Sequence, residues 1–230
     1  MNVIKVLYLM LLLTCLPSVS FAAPKFPPPP QAKIGLLGDN LVINGIPTDI
    51  RQFATPKSLT DVVEFYKELW EGDDEKQPEY TVTKALPPWT IVTHLENDYV
   101  LTVQVASDGK RGSSGYLAIS PLIPDDQAKP GKGFPMMRGS KVINEIFSND
   151  GGKKGRTLVF RNTKSLQSNS NFYRQHYEKQ GWAVEMDNEL FKGKTHSLRF
   201  RNSNKHVTLV LKIDRGATII TSQSVTESSF

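Results

Sequence analysis

F-A-T-P-K-S-L-T-D-V-V-E-F-Y-K-E-L-W-E, from Phe53 to Glu71, is matched without a gap by F-R-N-T-K-S-L-Q-S-N-S-N-F-Y-R-Q-H-Y-E, from Phe160 to Glu178. Seven of the nineteen positions are identical at an offset of 107: Phe53/Phe160, Lys57/Lys164, Ser58/Ser165, Leu59/Leu166, Phe65/Phe172, Tyr66/Tyr173 and Glu71/Glu178. Chance gives about one match in such a window, so the pair reads as an internal duplication.

Each copy predicts one helix entered from a strand. Ser58 and Ser165 suit the N-cap, where a hydroxyl accepts from an early N–H that lacks an intrahelical partner. Asp61, three residues after Ser58, completes a short capping box and complements the positive helix start. Val62, Phe65, Tyr66, Leu69 and Trp70 follow at helical spacing; the second copy keeps Phe172, Tyr173 and Tyr177 but has Asn169 and His176 on the same stripe. Core packing explains the aromatic stripe better than a ligand platform does. Gly72 and Gly181 are the expected helix stops.

Around the helices the pattern changes to short alternating runs. Leu41-Val42-Ile43 meets the turn pair Asn44-Gly45, and a second strand runs from Ile46 to Phe53 with Pro47 marking an irregular or edge strand. Strands are expected near 80–86, 89–96, 99–106 and 115–120, with Asn97-Asp98 as a hairpin turn and Asp108 to Gly115 as a loop. In the second half Val142-Ile143-Asn144 echoes Val42-Ile43-Asn44, and Asn149 to Gly155 reads as a polar loop. Further strands fall near 156–162, 182–187, 197–202, 206–213 and 217–224. The apolar parity of Val207, Leu209, Leu211 and Ile213 opposes a strict offset of 107. An odd-length insertion or deletion between helix and strand accounts for that, since a one-residue slip turns every side chain over. The fold class expected is therefore α+β: a tandem duplication of two small units, residues 34–121 and 136–224, each an antiparallel sheet with one helix packed on a face. A Pro/Gly linker, 122–135, joins them, and 225–230 is a tail.

The first 22 residues carry Lys5, an apolar run from Val6 to Leu13 and the small-residue site Ser20-Phe21-Ala22, which is the pattern of an export signal cleaved after Ala22. The run is too short for a permanent membrane span, and the periplasm is the expected location. Cys15, the single cysteine, lies inside this segment. A lipoprotein anchored through Cys15 is the alternative, but Thr14 fits a lipidation box poorly. Residues 23–33 form a Pro-rich spacer, with Pro27 to Pro30 favouring an extended polyproline rod or a disordered leader.

Chemistry-bearing motifs are scarce. A chain cleaved after Ala22 has no cysteine, which removes thiolate catalysis, disulfides and thiolate metal sites. His94, His176, His196 and His206 are scattered without ligand spacing. Gly193-Lys194-Thr195 imitates the end of a phosphate loop, but Asn188 stands where its first glycine belongs. Gly112-Ser113-Ser114-Gly115 lacks the spacing of a nucleophile elbow. No enzyme activity, cofactor, metal or small-molecule substrate is indicated. A hydrolase assembled from distant residues stands third among the readings.

Charge is the functional signal. From Gln31 to Pro130 there are nine Lys/Arg against fifteen Asp/Glu, a net −6; from Gly131 to Phe230 there are seventeen against eight, a net +9. The candidate binding face is Lys153, Lys154, Arg156, Lys192, Lys194, Arg199, Arg201 and Lys205, with Arg199 and Arg201 turned outward by alternation with Leu198 and Phe200. At an offset of 107 the first half has Val92 and His94 in place of those arginines. The expected function is an exported, non-enzymatic binding or assembly accessory protein of the bacterial envelope that recruits an acidic protein. Pilus and secretion components share such an architecture, an analogy of fold alone. The alternative is a periplasmic polyanion-binding protein for anionic lipid, lipopolysaccharide or nucleic acid. Nucleic acid is disfavoured because the aromatics sit on helices or alternate inward.

Overall fold

A computed structural model describes residues 24–37, 40–71, 80–109, 112–124, 127–150 and 152–227. The expected export signal with Cys15, most of the acidic stretch Glu71 to Glu75, the helix stop expected at Gly72 and the tip of the Asp108–Gly115 loop lie outside them.

The described residues form one antiparallel sheet of thirteen strands with two helices. The strands are β1 (Lys33–Leu36), β2 (Leu41–Ile43), β3 (Ile46–Thr55), β4 (Tyr80–Leu86), β5 (Trp89–Glu96), β6 (Tyr99–Ser107) and β7 (Ser113–Pro121) in the first half. The second half holds β8 (Lys141–Asp150), β9 (Lys153–Asn162), β10 (Ala183–Leu190), β11 (Thr195–Asn202), β12 (Lys205–Asp214) and β13 (Ala217–Thr226). Helix α1 (Leu59–Leu69) follows β3, and α2 (Leu166–Lys179) follows β9. Strand order is β10-β11-β12-β13-β9-β8-β2-β3-β7-β6-β5-β4, with β1 beside β3.

This corrects the expectation of α+β units in tandem. The element order recurs, but the fold is β-rich and the sheet runs unbroken through the middle of the chain. The junction is β2, three residues long, which pairs with β3 on one edge and with β8 on the other (Val42↔Phe147, Ile43↔Ile146). An unpaired strand edge leaves a row of N–H and C=O groups without partners, and joining two edges satisfies both. Asn44 continues the junction past the strand: its N–H donates to the Glu145 carbonyl, and its Oδ1 accepts from the Glu145 N–H, both at 2.8 Å. Gly45 follows with φ +84°, and a Cβ there would come within 3.0 Å of the Lys129 nitrogen, so the turn requires glycine on both counts.

Residues directly opposite in an antiparallel pair share a face. Through Pro47↔Val42↔Phe147↔Arg156 that rule places both helices on one side of the sheet. Each helix covers its own apolar cluster. Under α1 lie Phe53, Val92, Leu101, Val103, Val105 and Leu117; under α2 lie Leu158, Phe160, Leu198, Phe200, Leu209 and Ile220. Both N-caps form as expected, Ser58 accepting from the Asp61 N–H and Ser165 from the Ser168 N–H, each at 3.1 Å. In α1 the Ser58 N–H also donates to Asp61, closing the capping box. Of each Phe-Tyr pair the tyrosine, Tyr66 or Tyr173, is the buried ring, while Phe65 and Phe172 are half-buried; Tyr177 is buried too and Leu69 is exposed.

The Pro-rich stretch, expected to stand off as a spacer, packs into the first core. Phe26 is 4% exposed and meets the rings of Tyr66 and Trp70, each at 5.8 Å. Its carbonyl accepts from Arg51, and Tyr66 Oη donates to the Pro27 carbonyl at 2.9 Å. The linker between the halves does the same for α2. Phe134 is buried against Phe160 and Tyr173, and Tyr173 Oη donates to the Pro135 carbonyl at 3.1 Å. Proline has no N–H, which frees this backbone from any ladder, and its carbonyl satisfies a phenol that would otherwise be buried unpaired. Burial raises the pKa of both tyrosines well above the ordinary phenol value, so each stays a donor.

Candidate functional site

The end of α2 is built as a Schellman turn. Gly181, at φ +75°, occupies the left-handed position, its N–H donating to the Glu178 carbonyl and the Trp182 N–H reaching back to the Tyr177 carbonyl at 3.1 Å. The apolar contact that accompanies this motif is present, with the Trp182 and Tyr177 rings 5.2 Å apart and edge-on. Tyr177 in turn stacks on Phe200 of β11 at 4.6 Å. The helix stop therefore fixes two aromatic side chains at one corner of the sheet.

A cleft of about 740 Å³ opens at that corner. Tyr177, Trp182, Phe134 and Pro135 supply its apolar walls; Lys205 and Ser224 to Thr226, at the ends of β12 and β13, form the floor and rim. His176 and Gln180 line the helix side and are in contact with each other at 2.9 Å. His206 borders the cleft too, and its Nδ1 is buried without a hydrogen-bond partner among the described residues. In the first half the corner between helix end and sheet is closed instead: Trp70 stacks on His94 at 4.9 Å and receives the Phe26 ring. In the second half Phe134 packs on Phe160 and Arg156, and it lines the open cleft together with Tyr177 and Trp182.

The eight basic residues singled out from sequence do not form one face. Arg156 is structural. Its Nε donates to Glu145 at 2.7 Å, its guanidinium lies over the Phe134 and Phe147 rings, and another of its nitrogens donates to the Lys132 carbonyl. Glu145 is 1% exposed and also accepts from the Gly131 N–H. Arg199 and Arg201 do point away from the helices, yet both pair with Glu185, which sits in the bulge of β10, at 3.2 and 3.7 Å. Lys153, Lys154 and Lys205 are exposed at one end of the strands; Lys192 and Lys194 are exposed at the other, in the β10–β11 turn. Lys205 alone of the eight lines the cleft as an exposed cation.

Comparisons with protein-family models, curated proteins and solved structures find no match to this chain.

Two other constellations hold elements in place. Asp187 on β10 accepts from Arg174 of α2 at 2.7 Å through one oxygen and meets His196 of β11 at 2.6 Å through the other. With both oxygens engaged, this carboxylate latches the helix to the edge of the sheet. The hydrogen bond from Arg174 holds the Asp187 carboxyl below its ordinary range against a smaller opposing effect of burial. Asn162 and Asn169 exchange amide hydrogen bonds at 2.8 and 3.0 Å beneath the start of α2, which explains how asparagine occupies a core position on that stripe. Among the described residues no group of three or more His, Cys, Asp or Glu could hold a metal, and no helix is long and apolar enough to cross a membrane.

Sequence reasoning missed Phe26 and Phe134. The dipeptide Phe-Pro occurs twice in the chain, at Phe26-Pro27 and Phe134-Pro135, and each time just ahead of a helix-bearing half. That was the available signal. Trp182 and Lys205 carried none that linked them, because only the strand order brings the start of β12 beside the end of α2.

Proposed function

We propose that this is an exported, non-enzymatic binding protein of the cell envelope whose second half recruits an acidic protein partner through the α2 cleft. The observation that carries the reading is the pairing of an aromatic wall, Tyr177 and Trp182, with the exposed cation Lys205 across one concave site. Concave sites with apolar walls and a few placed polar groups are the common form of a binding pocket. Aromatic-lined grooves suit extended, proline- or aromatic-bearing segments, whose preformed backbone loses little entropy on docking. A carboxylate on such a segment would meet Lys205, and the net +9 of this half would draw it in from solution. Export rests on the basic residue, apolar run and small-residue site of the first 22 residues.

The test is titration of the isotope-labelled chain with a synthetic peptide of alternating glutamate, proline and tyrosine, followed by amide and indole shifts. Shifts should gather on Gln180, Trp182, Lys205 and Ser224 to Thr226, weaken as salt rises, and vanish in Trp182→Ala/Lys205→Glu. Shifts confined to other surfaces, or unaffected by that double substitution, overturn the reading.

A further inference from the structure

At the end of the strands away from the cleft, register draws one continuous line across the second half. Leu190 lies opposite Thr195, Thr195 opposite Lys212, Lys212 opposite Ile219, Ile219 opposite Arg161 and Arg161 opposite Lys141. All six therefore share the sheet face turned away from the helices. At about 4.8 Å between strands the line is roughly 24 Å long. It carries three exposed cations and no acidic residue.

Two hairpin turns project beyond this line, side by side, because the Ile213 N–H donates to the Lys194 carbonyl at 3.1 Å. The β10–β11 turn opens on Phe191, 77% exposed, next to exposed Leu190, Lys192 and Lys194. The β12–β13 hairpin adds exposed Ile213 near the end of β12 and exposed Arg215 in its turn. None of Lys141, Arg161, Lys192, Lys194, Lys212 and Arg215 forms an ion pair with a described residue. A large aromatic exposed in a hairpin turn costs solvation unless something covers it. What surrounds it is cationic, apart from Glu189 and Asp214.

We infer that this end of the sheet docks on an anionic phospholipid bilayer, with Phe191 and its aliphatic neighbours entering the headgroup boundary and the lysines and arginines resting on lipid phosphates. Apolar contact and attraction to anionic lipid are the two additive terms of interfacial binding. The geometry satisfies both at once: Phe191 stands exposed beyond the last strand pair, and the cationic line lies behind it across the sheet. A soluble acidic partner would account for the cations but not for a large aromatic exposed among them. Docked this way, the α2 cleft at the far end of the strands stays open to solution.

The chain beginning at Ala23, which retains every described residue, is sedimented with vesicles of phosphatidylcholine and with vesicles containing phosphatidylglycerol. Strong partition into the phosphatidylglycerol vesicles alone, falling as salt rises, is expected. Phe191→Asn is the apolar test, because asparagine tolerates the positive φ of +51° found there; it should lower partition at least about tenfold. Lys192→Glu/Lys194→Glu should lower it more than about twentyfold. Lys153→Glu/Lys179→Glu makes the same change in net charge at the opposite end and should leave partition within about threefold. Equal binding to both vesicles, no binding, indifference to Phe191→Asn, or equal losses from the two charge-reversed pairs would each overturn the inference. Circular dichroism of each variant establishes that the fold is retained.

Discussion

Asn44 and Glu145, 101 residues apart, exchange two hydrogen bonds of 2.8 Å, one from backbone to backbone and one from backbone to side chain. Glu145 also holds Arg156 through its carboxylate, so one residue ties together the junction strand, the linker at Gly131 and the start of the second core. The short pairing of β2 with β8 is thereby reinforced on both sides of the backbone.

The junction predicts that the two halves unfold together. Asn44→Ala removes the acceptor for the Glu145 N–H and places a Cβ-bearing residue without a local hydrogen bond at φ +50°. A loss of about 1–3 kcal/mol is expected. Hydrogen exchange should quicken first at residues 42–43 and 146–147. Two separate unfolding transitions in the unmodified chain would count against a continuous sheet.

Arg156→Met leaves the Glu145 carboxylate buried and unpaired, a change that costs about 3–5 kcal/mol where one partner of a buried ion pair is removed. Glu145→Gln/Arg156→Met should cost much less, because the amide oxygen still serves the Gly131 N–H and no lone charge remains. Urea unfolding of the singles and the double measures this coupling. Additive losses would show that the pair does not act as a unit.

Local features of the fold were legible because they arise within a few residues. Ser58 with Asp61 and the Gly181 stop are short-range chemistry and sit where the sequence placed them, whereas of the α1 stripe Val62, Tyr66 and Trp70 are buried, Phe65 is half-buried and Leu69 is exposed. The continuous sheet was not legible, since nothing in Leu41 to Ile43 says that a strand of three residues has partners on both edges. Reading Asn149 to Gly155 as a loop hid the long β8–β9 hairpin, and with it the contact between Arg156 and Glu145 eleven residues earlier. Arg156 then looked like a surface cation. Alternation correctly turned Arg199 and Arg201 outward, but the β10 bulge that brings Glu185 to them is invisible in one dimension. Charge counting detected a basic half without resolving its two ends, which the hairpins separate by the full length of the strands.

Phe26 belongs to the first core, so its removal should be felt as a core mutation. Phe26→Ala is expected to cost about 3–5 kcal/mol. Tyr66→Phe, which deletes only the hydroxyl that donates to Pro27, should cost about 0.5–1.5 kcal/mol. Thermal or urea unfolding distinguishes these from a dispensable leader, for which both substitutions would be silent.

The Asp187 latch predicts a specific acid response. Its folded pKa is depressed, chiefly by the hydrogen bond from Arg174, so the native state favours the carboxylate more than the unfolded chain does. That preference stabilises the fold at any pH above the unfolded value of about 3.9 and disappears as pH falls through the lower folded value. Asp187→Asn should therefore destabilise the protein at pH 7, with the difference from the unmodified chain narrowing below about pH 4. His196 meets the same carboxylate, but Arg174→Met should reproduce most of the effect because the guanidinium is the larger cause. Unfolding free energies of the three proteins between pH 7 and pH 2.5 decide the matter, and a difference that stays constant across that range would remove Asp187 from the acid limb.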